Sequence, residues 1–301
     1  MARVVVVHGI GQEYLGRRSL RDPVAAALAD GVELAATAGD VADPALTPDD
    51  IDVAFYGDAF RAAGRKGEPP APRSVADLTD PYEQALLEAL AAAAAPTADP
   101  AARTTTKAPT PRSLQRALNV LLRSPFLPGP VAERFLLGVL RQVRRYFTDD
   151  TVRARAAAAV DARIGPDTTV LVGHSLGSVV AYESLCARPD RPVRTLVTLG
   201  SPLGMPALVF DRLRPAPAAG HGHWPAGLDR WTNLADRNDV VASVKELSPL
   251  FAPRPGTAAA RPGAVLRDIP VANGWKAHDA LRHLTARETG AAIGEGLVAA
   301  R

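Results

Sequence analysis

The chain is poor in sulfur and has no long apolar run. It holds one cysteine, Cys186, and two methionines among 301 residues. One cysteine excludes an internal disulfide, as expected for a reducing compartment. No paired-cysteine spacing for structural zinc is present, and no metal is expected. Cys186 lies in a helix-like pattern and reads as a small buried hydrophobe. No apolar stretch approaches the ~18 residues that a membrane-spanning helix needs. A single basic residue precedes the first apolar strand, so no secretory leader is expected and a cytoplasmic location is the default. Internal repeats and nucleic-acid motifs are also missing, and no nucleic-acid partner is expected. The net charge is only +3, yet its distribution is uneven. Residues 101–165 carry twelve Arg or Lys against four Asp or Glu. Such asymmetry marks either contact with an anionic surface or arginines on solvated helix faces.

What is present is ordinary for a globular protein: 47% hydrophobic and 22% charged residues. The length suits one α/β domain over 1–301. Apolar runs at 3–7, 51–56, 168–172, 192–199, 230–235 and 264–271 read as strands. Between them lie helical patterns at 22–36, 80–95, 113–122, 131–147, 149–164 and 176–187, and a helical tail follows His278. That alternation predicts a mostly parallel central sheet flanked by helices, with right-handed crossovers. From His8 to Ser175 the chain spends far more residues than two strand–helix units require, at roughly 30–40 each. The surplus falls at 61–163 and predicts a helical insert, a cap or lid, before the 168–172 strand. Within it, 135–147 combines an apolar stripe with Arg141, Arg144 and Arg145. It reads as an amphipathic lid touching an acyl pocket or anionic interface, or as a packed helix with its arginines in water.

The most specific stretch is 170–178, Val-Leu-Val-Gly-His-Ser-Leu-Gly-Ser. An apolar strand ending in Gly-x-Ser-x-Gly and passing directly into a helix is a nucleophile elbow, which lifts the side chain of Ser175 above the sheet edge. The first strand ends in His8-Gly9-Ile10-Gly11-Gln12. A dinucleotide fingerprint there would need a third glycine where Tyr14 stands. Together the two segments resemble the α/β-hydrolase superfamily, in particular its lipase and esterase branch. The resemblance implies an oxyanion hole made by the backbone N–H groups of Ile10 and Leu176.

A serine hydroxyl needs a base, and the base needs a carboxylate to orient it. In this superfamily the chain order is Ser, then Asp or Glu, then His. That order leaves His278 and His283 as bases. His278 follows the last strand by a short loop, where the superfamily carries its histidine, whereas His283 sits inside a helical pattern. His8 and His174 belong to the two motifs and read as structural. Asp239, ahead of a Val-Val pair, resembles the superfamily's acid; Asp236 is the alternative and also suits a turn or cap. Ser201, at a strand's carboxyl end, is expected to line the site. The loop 201–228 is expected to overhang it, with His221 and His223 as plain loop residues.

These residues predict a serine hydrolase that cleaves a carboxylic ester of a small-molecule or lipid acyl substrate through an acyl-enzyme, with no cofactor required. Other readings stay open: an intracellular peptidase or amidase, a phospholipase effector of a bacterial defence system, or a binding protein that keeps the fold without catalysis. Oligomeric state is not legible.

Overall fold

The computed structural model describes residues 2–61, 74–95, 110–123, 132–254 and 260–299. Six strands, β1 (Val4–Val7), β2 (Ile51–Ala54), β3 (Val170–His174), β4 (Thr195–Leu199), β5 (Arg230–Asp236) and β6 (Val265–Val271), form one sheet. Their order is β2-β1-β3-β4-β5-β6, and every pairing is parallel. This is the α/β architecture the alternation predicts.

The two-residue period of the strands decides which helices cover which face. Val5, Val7, Leu171, Leu196, Trp231 and Leu266 point to one side. There they share a core with α2 (Pro81–Ala94), α3 (Pro111–Arg123), α4 (Ala132–Thr148), α5 (Asp150–Asp161), α6 (Leu176–Ala187) and the short α7 (Ser248–Phe251). Val4, Val6, Val170, Val172, Val197 and Leu234 point to the other side. That face is covered by α1 (Arg17–Thr37), α8 (Ala280–Thr285) and α9 (Arg287–Val298). Four successive valines suit β1 because it is paired on both edges and covered on both faces.

The chain leaves β1 through α1 to reach β2, then returns past β1 to β3 through α2–α5. Right-handed crossovers put the connecting helices on opposite faces when the direction of travel reverses. The carboxyl ends of β1 and β3 therefore border a topological switch point, where open α/β sheets hold their ligands. The segments after these two strands are those carrying the predicted motifs.

Two local differences from the sequence reading have physical causes. α1 begins at Arg17, five residues before the expected start. Its first turn is polar, but Arg17 pairs with Asp52 at 2.8 Å and Arg21 Nε donates to the Ile51 carbonyl at 3.0 Å. Those side chains fasten the helix to β2 without packing in the core. Between 61 and 163, where an insert is expected, residues 62–73, 96–109 and 124–131 lie outside the described residues. The helices between them are a packed layer whose apolar sides belong to the same core as the sheet. Their arginines are partly internal. Arg144 binds Glu83 of α2 at 2.6 Å, Arg145 donates to the Phe60 carbonyl at 2.9 Å, and Arg153 forms a buried pair with Glu183 of α6. Tyr146 and the Arg214 N–H also donate to the Glu183 carboxylate, so its oxygens are well supplied with donors.

Candidate active site

β3 ends at His174 and α6 begins at Leu176, so one residue makes the turn between them. That residue, Ser175, has φ 53° and ψ −131°, outside the usual L-residue regions. Such backbone strain persists only where the surroundings enforce it. Here the Ser175 N–H is held by the Leu199 carbonyl at 2.9 Å, and Ser178 Oγ donates to the Ser175 carbonyl at 2.6 Å. α6 passes so close to β1 that a methyl group at Gly177 would run into the carbonyl oxygens of Val7 and His8. The small residue in the motif is a packing requirement.

The other side chains arrive from the carboxyl ends of β5 and β6. Asp239 lies just beyond β5 and is fully buried. Its Oδ1 accepts the N–H of Val241 at 2.9 Å and of Ala242 at 3.4 Å. Its Oδ2 is 2.8 Å from His278 Nδ1, and His278 Nε2 is 3.0 Å from Ser175 Oγ. Three residues spread over 103 positions of sequence thus form one hydrogen-bonded line. Burial raises the Asp239 carboxyl, but the charge and hydrogen bond of His278, with the charge of nearby His283, outweigh it. The group is held far below the usual carboxylate range. Gly200, at φ 54°, packs against this pair: a Cβ there would stand 2.6 Å from Asp239 Oδ2 and 2.9 Å from His278 Nδ1.

The alternative acid, Asp236, is turned elsewhere. Its Oδ1 accepts the Asn238 N–H at 2.8 Å and its Oδ2 the Asn273 N–H at 2.6 Å. It ties the loop that carries His278 to the end of β5, the turn role open to it from sequence. His174 supports the same loop, its Nε2 lying 3.1 Å from the His278 carbonyl oxygen. Burial, reinforced by His278 and His283, keeps His174 well below the ordinary histidine pKa.

His8 is likewise structural. Its Nε2 accepts the Tyr56 N–H at 3.0 Å, its carbonyl accepts the Tyr56 hydroxyl at 2.8 Å, and the two rings stack. An accepting Nε2 leaves the proton on Nδ1, which faces the Gly9 carbonyl. Burial pushes the His8 pKa down to about 4.

A cavity of about 520 Å³ opens over Ser175 and His278. Ile10 and Leu176 border it, and its walls are mainly apolar: Val24 of α1, Leu86 and Leu90 of α2, Phe135 and Val139 of α4, and Leu284 of α8. The loop 201–228 contributes Pro202, Met205 and Val209, as expected of a segment overhanging the site. Ser201 does not border this cavity. Its hydroxyl is 2.7 Å from that of Ser178 and accepts the Leu203 N–H, so it fastens the loop to α6. His221 and His223 lie close to the carbonyls of Ala252 and Ala216. Among the described residues no three His, Cys, Asp or Glu side chains group as a metal site.

One residue at the site escaped the sequence reading. Gln142, buried on α4, accepts the Gly11 N–H on its Oε1 at 3.0 Å and so fixes the segment after β1. A glutamine inside the apolar stripe Leu136–Leu140–Val143 was the available signal, because buried polar groups are informative. His283, the second candidate base, does not reach Ser175. It is fully buried, and its Nε2 lies 3.8 Å from the same Asp239 Oδ2 that His278 engages. Neither of its ring nitrogens has a hydrogen-bond partner among the described residues.

A family model described as PGAP1-like alpha/beta domain matches residues 136–215. The match runs from α4 through β3, the Ser175 turn, α6 and β4 into the loop beyond. It covers less than half of the chain, includes Ser175, and stops before Asp239 and His278. It supports membership of the α/β-hydrolase superfamily and a hydrolase-type chain of the lipase and esterase kind. No curated protein and no solved structure matches.

Proposed function

We propose that the protein is a serine hydrolase that cleaves carboxylic esters, with Ser175 as nucleophile, His278 as general base and acid, and Asp239 as the orienting carboxylate. The observation that carries this reading is the continuous line Ser175 Oγ–His278 Nε2, His278 Nδ1–Asp239 Oδ2, with both contacts at hydrogen-bond length. It ends in a strained turn at the floor of an apolar cavity.

In the reaction Ser175 Oγ attacks the acyl carbon while its proton passes to His278 Nε2. Asp239 holds the Nδ1–H tautomer and stabilises the imidazolium that forms. The carbonyl oxygen becomes an oxyanion, bound by the N–H groups of Ile10 and Leu176. Leu176 is the first residue of α6, so its N–H has no acceptor within the helix. Each such donor is worth ~3–4 kcal/mol in the transition state. The alcohol departs with the proton from His278 and leaves Ser175 acylated. A water then gives its proton to His278 and attacks the acyl carbon; the Ser175 Oγ–acyl bond breaks, His278 returns the proton to Ser175 Oγ, and the acid is released. No other group is required for these steps.

The apolar walls favour a hydrocarbon acyl group over a peptide, whose amides would lose their hydrogen bonds to water on entry. Ser175→Ala keeps the fold and lowers turnover of p-nitrophenyl esters by a factor of order 10⁶. Wild-type rates in a folded Ser175→Ala protein would remove the proposal.

A further inference from the structure

Among the described residues, several of the large apolar side chains left in water lie at the cavity mouth or next to its lining in sequence. Phe135 and Leu281 line the cavity and are nevertheless 51% and 42% exposed. Next to the cavity residue Lys276, Trp275 is 57% exposed, whereas Trp224 and Trp231 are buried. Tyr14 and Leu15, also exposed, follow the cavity residue Gln12 after Glu13, and the Leu15 N–H donates to the Gln12 carbonyl at 3.0 Å. Two further exposed apolar residues, Leu34 and Val298, belong to α1 and α9 away from this mouth. Positive charge accompanies the apolar rim. Lys276 Nζ stands 5.0 Å from the Trp275 ring centre and the Arg282 guanidinium 5.4 Å, while Arg134 is exposed next to Phe135. Two acidic groups nearby are already engaged. Asp279 caps α8 through the Arg282 N–H and lies 4.0 Å from Lys276, and Glu133 accepts the Val75 N–H.

Aromatic and aliphatic side chains interleaved with basic ones form the chemistry of an interfacial surface. The rings enter the headgroup–acyl boundary while the cations meet anionic headgroups. We infer that this rim docks on an anionic phospholipid bilayer and opens the Ser175 cavity toward it, so that the ester enters from the lipid phase. Among the described residues no helix is long and apolar enough to cross a membrane, so this contact is peripheral. The charge complementarity lies in Arg134, Lys276 and Arg282, separate from the internally tied Arg144, Arg145 and Arg153. The inference deepens the ester-hydrolase reading by naming where its substrate resides.

The test uses the full chain carrying Ser175→Ala, so that binding is read without turnover. Vesicles of phosphatidylcholine alone, and of phosphatidylcholine mixed with phosphatidylglycerol, are sedimented with the protein. The account expects association with the mixed vesicles, weakened by salt, and a blue shift of the emission from Trp275, the exposed tryptophan. Arg134→Glu lowers the partition coefficient at least about five-fold, the worth of one basic residue near such a surface. Trp275→Ala lowers it further without altering the circular dichroism spectrum. Three outcomes overturn the inference: no association of folded protein with mixed vesicles, equal association with both compositions, or association indifferent to both substitutions. Dimerisation through the rim without lipid, lost in Trp275→Ala, would replace it with self-association. None of these outcomes touches the ester chemistry, which soluble substrates test separately.

Discussion

The imidazole of His8 contributes by staying neutral. Its Nε2 must accept the Tyr56 N–H, and a protonated ring has no lone pair to offer. Burial lowers its pKa to about 4, against roughly 6.5 in an unfolded chain. Between those values the unfolded chain binds a proton that the folded one does not, so stability rises with pH through the window. On acidification from about 6.5 to about 4 the protein loses on the order of 3 kcal/mol from this group. His174, also held low by burial, adds loss in the same direction. Asp239, with its depressed carboxyl, adds more as the pH falls below about 4. Urea unfolding from pH 7.5 down to pH 4.5 should show falling stability, and the His8 ring should stay neutral by NMR at pH 5. A flat stability profile over that range would contradict the assignment.

At the scale of elements, α4 joins fold and site. One side packs Leu136, Leu137 and Leu140 into the core. Toward the site it supplies Phe135, Val139 and Val143 to the cavity and Gln142 to the segment after β1. A longer acyl chain gains ~0.8 kcal/mol per methylene buried, or about four-fold in kcat/KM, until the cavity is full. Val139→Trp should move that plateau to shorter chains while leaving acetate esters nearly unaffected; a p-nitrophenyl ester series gives the readout. An unchanged chain-length profile would show that the acyl group lies elsewhere.

Elements whose signal is local were legible in the sequence. The buried valines of β1, the glycines flanking Ser175 and the bounds of α6 follow from residue type and spacing alone. Gln142 was not recognised, because its role depends on a partner 131 positions away. Ser201 was placed by the rule for strand ends, but the bond to Ser178 turns it away from the cavity. The start of α1 was set too late because its polar first turn binds β2 rather than the core.

Across the whole molecule, the reversal of strand order between β1 and β3 places the Ile10 segment beside Ser175, and the returns after β5 and β6 deliver Asp239 and His278 to the same edge. The order Ser, Asp, His along the chain follows from that topology. The claim on which the account rests is that this edge makes one hydroxyl reactive. The most direct measurement treats the folded protein with a fluorophosphonate and locates the adduct by peptide mass spectrometry. Ser175 should be phosphonylated stoichiometrically, and far more slowly in His278→Ala. Folded wild-type protein that takes no label, or takes it on another residue, would contradict it.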